Sequence, residues 1–175
     1  PNTQRMWLDN INTSLNADPA DPGVYVLATR IGRKPVFDLS IGAKINIDHP
    51  GVQNLKVDLL ADLTQGQMDF LVPQVQALLK QSKAAGTLSF SASGSVPFDD
   101  LNNANLHVES KLTNVNVVAG DQKVPVQGYQ LSADVANGVV QIHNLQVDAA
   151  GSAFSLAGTV ALNDRLDTDL TLHLD

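Results

Sequence analysis

The side chains able to do chemistry are four histidines, a pair of carboxylates and a run of serines, and their spacing is the first test for an active site. His49, His107, His143 and His173 are distant from one another in sequence, and no two have metal-ligand spacing. His107 and His173 stand between apolar residues in alternating runs, which places them on the wet face of strands. His49 precedes Pro50 in a turn, and His143 falls where the apolar phase slips. Asp167-Thr168-Asp169 has the form of a two-carboxylate metal motif. Alternation puts both carboxylates opposite Leu166, Leu170 and Leu172, however, which is a solvated strand face. Ser89, Ser91, Ser93 and Ser95 have no base within reach by spacing and no nucleophile-elbow pattern. Asp99-Asp100 reads as a turn, and Asn12-Thr13-Ser14 is a glycosylation sequon of a kind common by chance. No glycine-rich loop leads into a helix to cradle phosphate. The expectation is a protein that is not an enzyme, with no catalytic residues, no metal and no cofactor.

The elements that carry these residues are strands. From Phe37 the odd positions read Phe37, Leu39, Ile41, Ala43, Ile45 and Ile47, and the even ones Asp38, Ser40, Gly42, Lys44, Asn46 and Asp48. Such a period of two gives one apolar and one wet face. The pattern recurs from Leu55 to Leu63, Leu88 to Val96, Leu106 to Val108, Tyr129 to Val135, Phe154 to Leu162 and Leu166 to Leu174. Half-buried alternation belongs to antiparallel sheets. Asn137-Gly138 between Val135 and Val139 is a strong hairpin signal. The parity changes near Thr113-Asn114 and again near His143-Asn144, as a bulge or bend would produce. Pro35 and Pro125 are expected at strand starts or edges. One window departs from this. Leu71, Val75, Leu78 and Ser82 fall at helical spacing, with Pro73 in the first turn and Gly86 as a stop, so a short helix is expected near 70–82.

Part of the chain repeats. Phe90-Ser91-Ala92-Ser93-Gly94-Ser95-Val96 returns 64 residues later as Phe154-Ser155-Leu156-Ala157-Gly158-Thr159-Val160. Leu106-His107-Val108 returns at the same offset as Leu170-Thr171-Leu172. Asn54-Leu55-Lys56-Val57-Asp58 is echoed 90 residues on by Asn144-Leu145-Gln146-Val147-Asp148. The reading is a single segment over 1–175, with repeat units at about 52–112 and 138–175 and a helical insertion at about 66–85. Repeats of this kind stack into a continuous sheet, which offers a long surface instead of a point-like site.

Composition agrees. Charged residues are 17% of the chain, against a usual ~25%. The net charge is −7, and all but one of the 18 acidic residues are aspartate, the exception being Glu109. The 11 basic residues are scattered, so there is no stripe to follow a phosphate backbone and no nucleic-acid partner is expected. Cysteine is absent, which excludes disulfides and thiol chemistry. No apolar run approaches the ~18 residues of a membrane helix. The start at Pro1 and the end within a strand-like pattern lead us to expect a piece excised from a longer protein.

What remains is the apolar parity itself. Its members are Leu39, Ile41, Ile45 and Ile47; Leu55, Val57 and Leu59; Leu88, Phe90 and Val96; Leu106 and Val108; Leu131 and Val135; Leu145 and Val147; Phe154, Leu156 and Val160; and Leu170 and Leu172. Leaving all of these in water would be costly, at roughly 1.5–3 kcal/mol each. Either the sheet closes into a self-filled sandwich, or it folds over partly and these residues line a groove for apolar cargo.

The units Asn137 to Asp148 and Gly151 to Leu162 resemble the repeats of the TamB and AsmA-like family of Gram-negative envelope proteins. There an Asn-Gly hairpin precedes a Leu-x-Val strand and then an apolar strand ending in Gly-Thr-Val or Gly-Ser-Val. The likeness is clearest over 86–175. The resemblance implies a mainly β fold, an antiparallel repeat sheet folded lengthwise into an apolar, taco-like groove. It also implies a periplasmic portion of an inner-membrane-anchored protein that works with the outer-membrane barrel TamA. The implied function is movement of phospholipid between the membranes and support of outer-membrane biogenesis. The alternative is a chaperone-like groove or sheet edge that escorts unfolded β-strands of outer-membrane or autotransporter proteins.

Overall fold

The computed structural model describes residues 10–33, 36–63, 85–119, 122–124, 126–149, 151–162 and 167–174. The helix expected near 70–82 lies outside the described residues, as do Pro35 and Pro125. Within the described residues the alternating stretches form strands, apart from end positions such as Ile47 and Leu63. They are β1 (Asn10–Ala17), β2 (Val24–Arg33), β3 (Phe37–Asn46), β4 (Gly51–Asp62), β5 (Ala85–Pro97) and β6 (Asn105–Ala119). β7 (Gln122–Val124), β8 (Val126–Ala136), β9 (Val139–Ala149), β10 (Ser152–Ala161) and β11 (Thr168–Leu174) follow. One 3-10 turn, Leu101–Asn103, is capped by the Asp100 side chain, which accepts from the Asn102 N–H.

Every pairing is antiparallel, as the alternation predicts. Strands follow one another in chain order, β1 to β6 and then β8 to β11, while β7 pairs only with the end of β6. Among the described residues the sheet is not closed, and β1 and β11 are its two edges.

Four bulges interrupt the regular pairing among the described residues, in β4, β6, β8 and β9, the one in β8 lying between Val126 and Gly128. In β9 one extra residue near His143 separates the pairs Ser132–Asn144 and Ala133–Ile142, where the sequence parity changes. In β6 the register slips between the pairs Thr87–Thr113 and Ala85–Asn116, at the other parity change. That in β4 inserts a residue between Gln53 and Lys56, and Asn54 there has φ 49°. Asparagine tolerates this left-handed conformation better than most residues. The Asn137-Gly138 turn has positive φ at both positions, 53° and 69°, as a two-residue hairpin turn of the I′ kind requires.

The repeat at offset 64 has a geometric counterpart. Gly94 pairs with Leu106, and Gly158 pairs with Leu170. Both glycines have φ 141°, and a Cβ on either would lie 1.9 or 2.0 Å from a carbonyl oxygen of the adjacent strand. The echo at offset 90 is two residues out of step with this frame. Phe90 and Phe154 pair with Leu59 and Val147, which are 88 apart.

The contiguous buried cluster among the described residues is small. Phe37, Ala61 and Leu63 form it, with Ile31, Leu39, Leu59, Leu88 and Leu112 packed against them. The molecule exposes 11468 Å². A compact domain of this size exposes only ~8,200 Å².

Candidate functional site

Residues directly opposite in an antiparallel pair point to the same side of the sheet, so the register assigns faces without ambiguity. Starting from β3, Leu39, Ile41 and Ile45 face the same way as Leu59, Val57 and Val52 of β4. The β4 bulge returns Leu55 to this side, opposite Gly94. β5 adds Leu88, Phe90, Ala92 and Val96. β6 adds Leu106, Val108, Ser110 and Leu112, and β8 adds Tyr129, Leu131, Ala133 and Val135. β9 contributes Val147, Leu145, Ile142 and Val140, its bulge near His143 absorbing the parity change. β10 contributes Phe154, Leu156 and Val160, and β11 contributes Leu174, Leu172 and Leu170. One apolar face therefore runs across these eight strands.

All the apolar positions singled out in the sequence share this face except Ile47. β3 ends at Asn46, and Ile47 sits in the following turn, its N–H bonded to the Gly23 carbonyl and its side chain exposed. Alternation alone could not see that the strand stops one residue short. Sequence reasoning also left out β1 and β2, whose Ile11, Leu15, Leu27 and Ile31 join the face by register. Their alternation was present and is weaker, with Thr13 and Thr29 interleaved.

The face is partly shielded, not sealed. Along β4 and β6 the apolar parity is half-buried or buried, while the opposite parity is mostly exposed. At the β11 edge Leu170, Leu172 and Leu174 are exposed. Ser110 is the one buried polar side chain among the described residues, and it lies in the middle of the apolar face opposite Phe90 and Leu131. Its hydroxyl lies 2.7 Å from the Tyr129 hydroxyl and 3.4 Å from the Ser89 carbonyl oxygen. A chain in which Tyr129 donates to Ser110 and Ser110 to the carbonyl gives both hydroxyls a partner within the apolar face.

The polar face carries the charges. Arg30 pairs with Asp38 across β2 and β3, and Lys44 Nζ lies 2.7 Å from Asp18. The lysine holds the Asp18 carboxyl below its usual range, with help from the Ala20 N–H. A shallow concavity of about 540 Å³ on this side is lined by Arg30, Asp38, Asp58, Ser89, Glu109 and Lys111, among others. That hollow is not where the apolar positions would place cargo.

The histidines are not all isolated. His107 pairs in register with Asp134, and its Nδ1 lies 2.6 Å from the carboxylate. His143, on the β9 bulge, reaches the other oxygen at 2.7 Å. Glu109 lies 3.5 Å from His107 Nε2. The hydrogen bond to Asp134 raises the His107 pKa, and the two histidines hold the Asp134 carboxyl below its usual range. Nothing in the linear spacing brings these groups together; only the strand register does. His173 pairs with Ser155 on the polar face, and His49 lies in a turn. Asp169 is on the polar face and Asp167 precedes β11. Among the described residues no group of three or more such side chains is arranged to hold a metal ion.

Fold and face together define an open antiparallel β-sheet with one apolar and one polar side. Compared with known proteins, the chain matches no family model, no curated protein and no solved structure.

Proposed function

We propose that this chain is a segment of a hydrophobic conduit that spans the periplasm and carries phospholipid acyl chains between inner and outer membranes, in support of outer-membrane biogenesis. The observation that carries the reading is the continuity of the apolar face from β1 to β11, half-buried instead of sealed. A half-exposed aliphatic side chain retains roughly 1 kcal/mol that contact with hydrocarbon would recover. Over the face that sums to on the order of 10 kcal/mol or more, before the cost of ordering a ligand. Acyl chains ask for dry, non-directional contact and no catalytic group. The sheet curling lengthwise into a groove, an inner-membrane anchor on the parent protein and the partner TamA belong to the same proposal. Their support is the sequence likeness to TamB and AsmA-like repeats.

The test is photocrosslinking in cells from Ile41 and Leu156 on the apolar face and Lys44 on the polar face. Crosslinks to lipid from the first two and none from Lys44 support the conduit. No cargo at either face sinks it and leaves a structural module.

A second reading, escort of unfolded outer-membrane β-strands, is favoured by one specific observation. β1 and β11 each pair on one side only among the described residues, and every residue in both is exposed. Open edges of this kind accept strands through main-chain hydrogen bonds. Crosslinks from Leu156 to an unfolded membrane protein would select this reading over the conduit.

A further inference from the structure

His143, the extra residue of the β9 bulge, lies between Ile142, which is opposite Ala133, and Asn144, which is opposite Ser132. β10 takes the same irregularity on its side, pairing Leu156 with Leu145 and Gly158 with Ile142. The bulge thus sets the phase of β9 against both neighbours. Val140 and Ile142 before it and Leu145 and Val147 after it reach one apolar face only because a residue is set aside between them. That residue is held by a single carboxylate, which ties three strands together on the polar side. One oxygen of Asp134, on β8, lies 2.6 Å from Nδ1 of His107 on β6, and the other lies 2.7 Å from Nε2 of His143 on β9. His107 Nε2 is 3.5 Å from Glu109, so its ring stands between two carboxylates. A neutral imidazole has one N–H and serves only one of them; an imidazolium serves both. Next to the group, β5 presents only serines on the polar side, and β10 presents Ala157 and Thr159 beside the bulge. The other charged side chains nearby in register are Lys111 of β6 and, across Ser93, Lys56 of β4. The side chains of His107, Asp134 and His143 are 47%, 45% and 47% exposed, so solvent exchanges protons with them freely.

We propose that His107, Asp134 and His143 form a proton-operated latch on the β9 bulge: protonated rings clamp the shared carboxylate and hold His143 on the polar side, and loss of those protons lets the bulge open. The latch is independent of what the apolar face carries. Hydrogen bonds between ionised partners are roughly twice as strong as neutral ones, so the hold on His143 changes with the charge on the rings. Deprotonation also leaves Asp134 and Glu109 as two carboxylates with no cation between them. The raised His107 pKa accords with this geometry, its first cause being the hydrogen bond to Asp134. A raised value means that the clamp is complete below 6.5 and weakens as pH rises through the folded value. Mild acid therefore firms the phase of β9, and alkali loosens it.

Backbone hydrogen exchange in the full chain, normalised to the intrinsic rate at each pH, reads opening of the bulge. The β4 bulge at Asn54, which carries no histidine, is the internal control. Between about pH 5.5 and about pH 8, protection over residues 141–145 is expected to fall about threefold or more, while protection over residues 52–56 stays level. His143→Gln keeps a donor for Asp134 and has no proton to lose, so its protection at the β9 bulge should not vary with pH. Asp134→Asn should bring protection in acid down to the level that the unaltered protein shows in alkali. Protection at the β9 bulge that is independent of pH in the unaltered protein overturns the proposal. So does an equal fall at both bulges, or an undiminished fall in His143→Gln. Should a variant fail to fold, the contrast between the two bulges of the unaltered protein still decides.

Discussion

At the scale of single residues, the face assignment turns on parity. Leu156 lies between Leu145 and Leu172, while its neighbour Ser155 lies between Gln146 and His173. Leu156→Asp puts an unpaired charge among aliphatic side chains and is expected to cost about 2–3 kcal/mol. Ser155→Asp should stay within about 0.5 kcal/mol. Chemical denaturation of the two variants measures the contrast, and equal stability would refute the facing. The His107, Asp134 and His143 group makes a prediction about pH. The His107 pKa is raised above 6.5, so its contribution is fully present below 6.5 and is lost as pH rises through the folded value. Asp134 is lowered from 3.8, so its contribution is present above 3.8 and is lost as pH falls through the depressed value. Thermal stability should therefore decline as pH rises past 6.5, and His107→Gln should flatten that decline. An unchanged slope in the variant would show that the hydrogen bond is too exposed to matter. This cluster was not legible in the sequence, because 27 residues separate His107 from Asp134 and only the pairing register joins them. The polar parity of His107 and His173 was legible, since it needs only their immediate neighbours.

At the scale of strands and turns, the bulges in β6 and β9 were visible as parity changes and those in β4 and β8 were not. The spacing from Val52 to Leu55 is three, and a sequence reader passes over it because the alternating run is taken to begin at Leu55. The structure puts Asn54 in the left-handed region there, which keeps both flanking apolar residues on one side. Asn54→Val is expected to destabilise by about 1–2 kcal/mol, the cost of a β-branched residue at positive φ, and Asn54→Gly by no more than about 0.5. The midpoint of urea unfolding for each reads this directly. Gly94 makes a sharper test. Its φ is 141° and a Cβ would meet the Asn105 carbonyl oxygen at 1.9 Å, whereas a Cβ on Gly42 meets nothing within 4 Å. Gly94→Ala should cost about 2 kcal/mol or more, and Gly42→Ala should be neutral or slightly stabilising. Comparable losses at both positions would mean that β5 and β6 approach less closely than described. The glycines stood out in the sequence as part of a repeat. That a neighbouring carbonyl is the reason for them could not be read there.

At the scale of the whole molecule, strand content, antiparallel pairing and the shared apolar face followed from periodicity alone, because a period of two leaves no other economical arrangement. The extent of shielding did not follow, since it depends on how far the sheet bends. An unsealed face predicts that amphiphiles stabilise the protein. A single-chain detergent below its micelle concentration and at ten times its dissociation constant should add about 1.4 kcal/mol of stability, read as a rise in melting temperature. Replacing Ile41 and Val57 together by Ser should abolish the rise; a rise that persists would place the detergent elsewhere. Apart from the short β7 on the end of β6, each strand pairs with the strand before it and the strand after it along the main path. Such a chain has no distant ends to bring together, so loop-closure entropy does not limit its assembly, and hairpins can add in turn as the polypeptide becomes available. Pulled from its two ends, the same sheet would come apart one strand at a time from the outside, in a staircase of small force steps instead of one abrupt rupture.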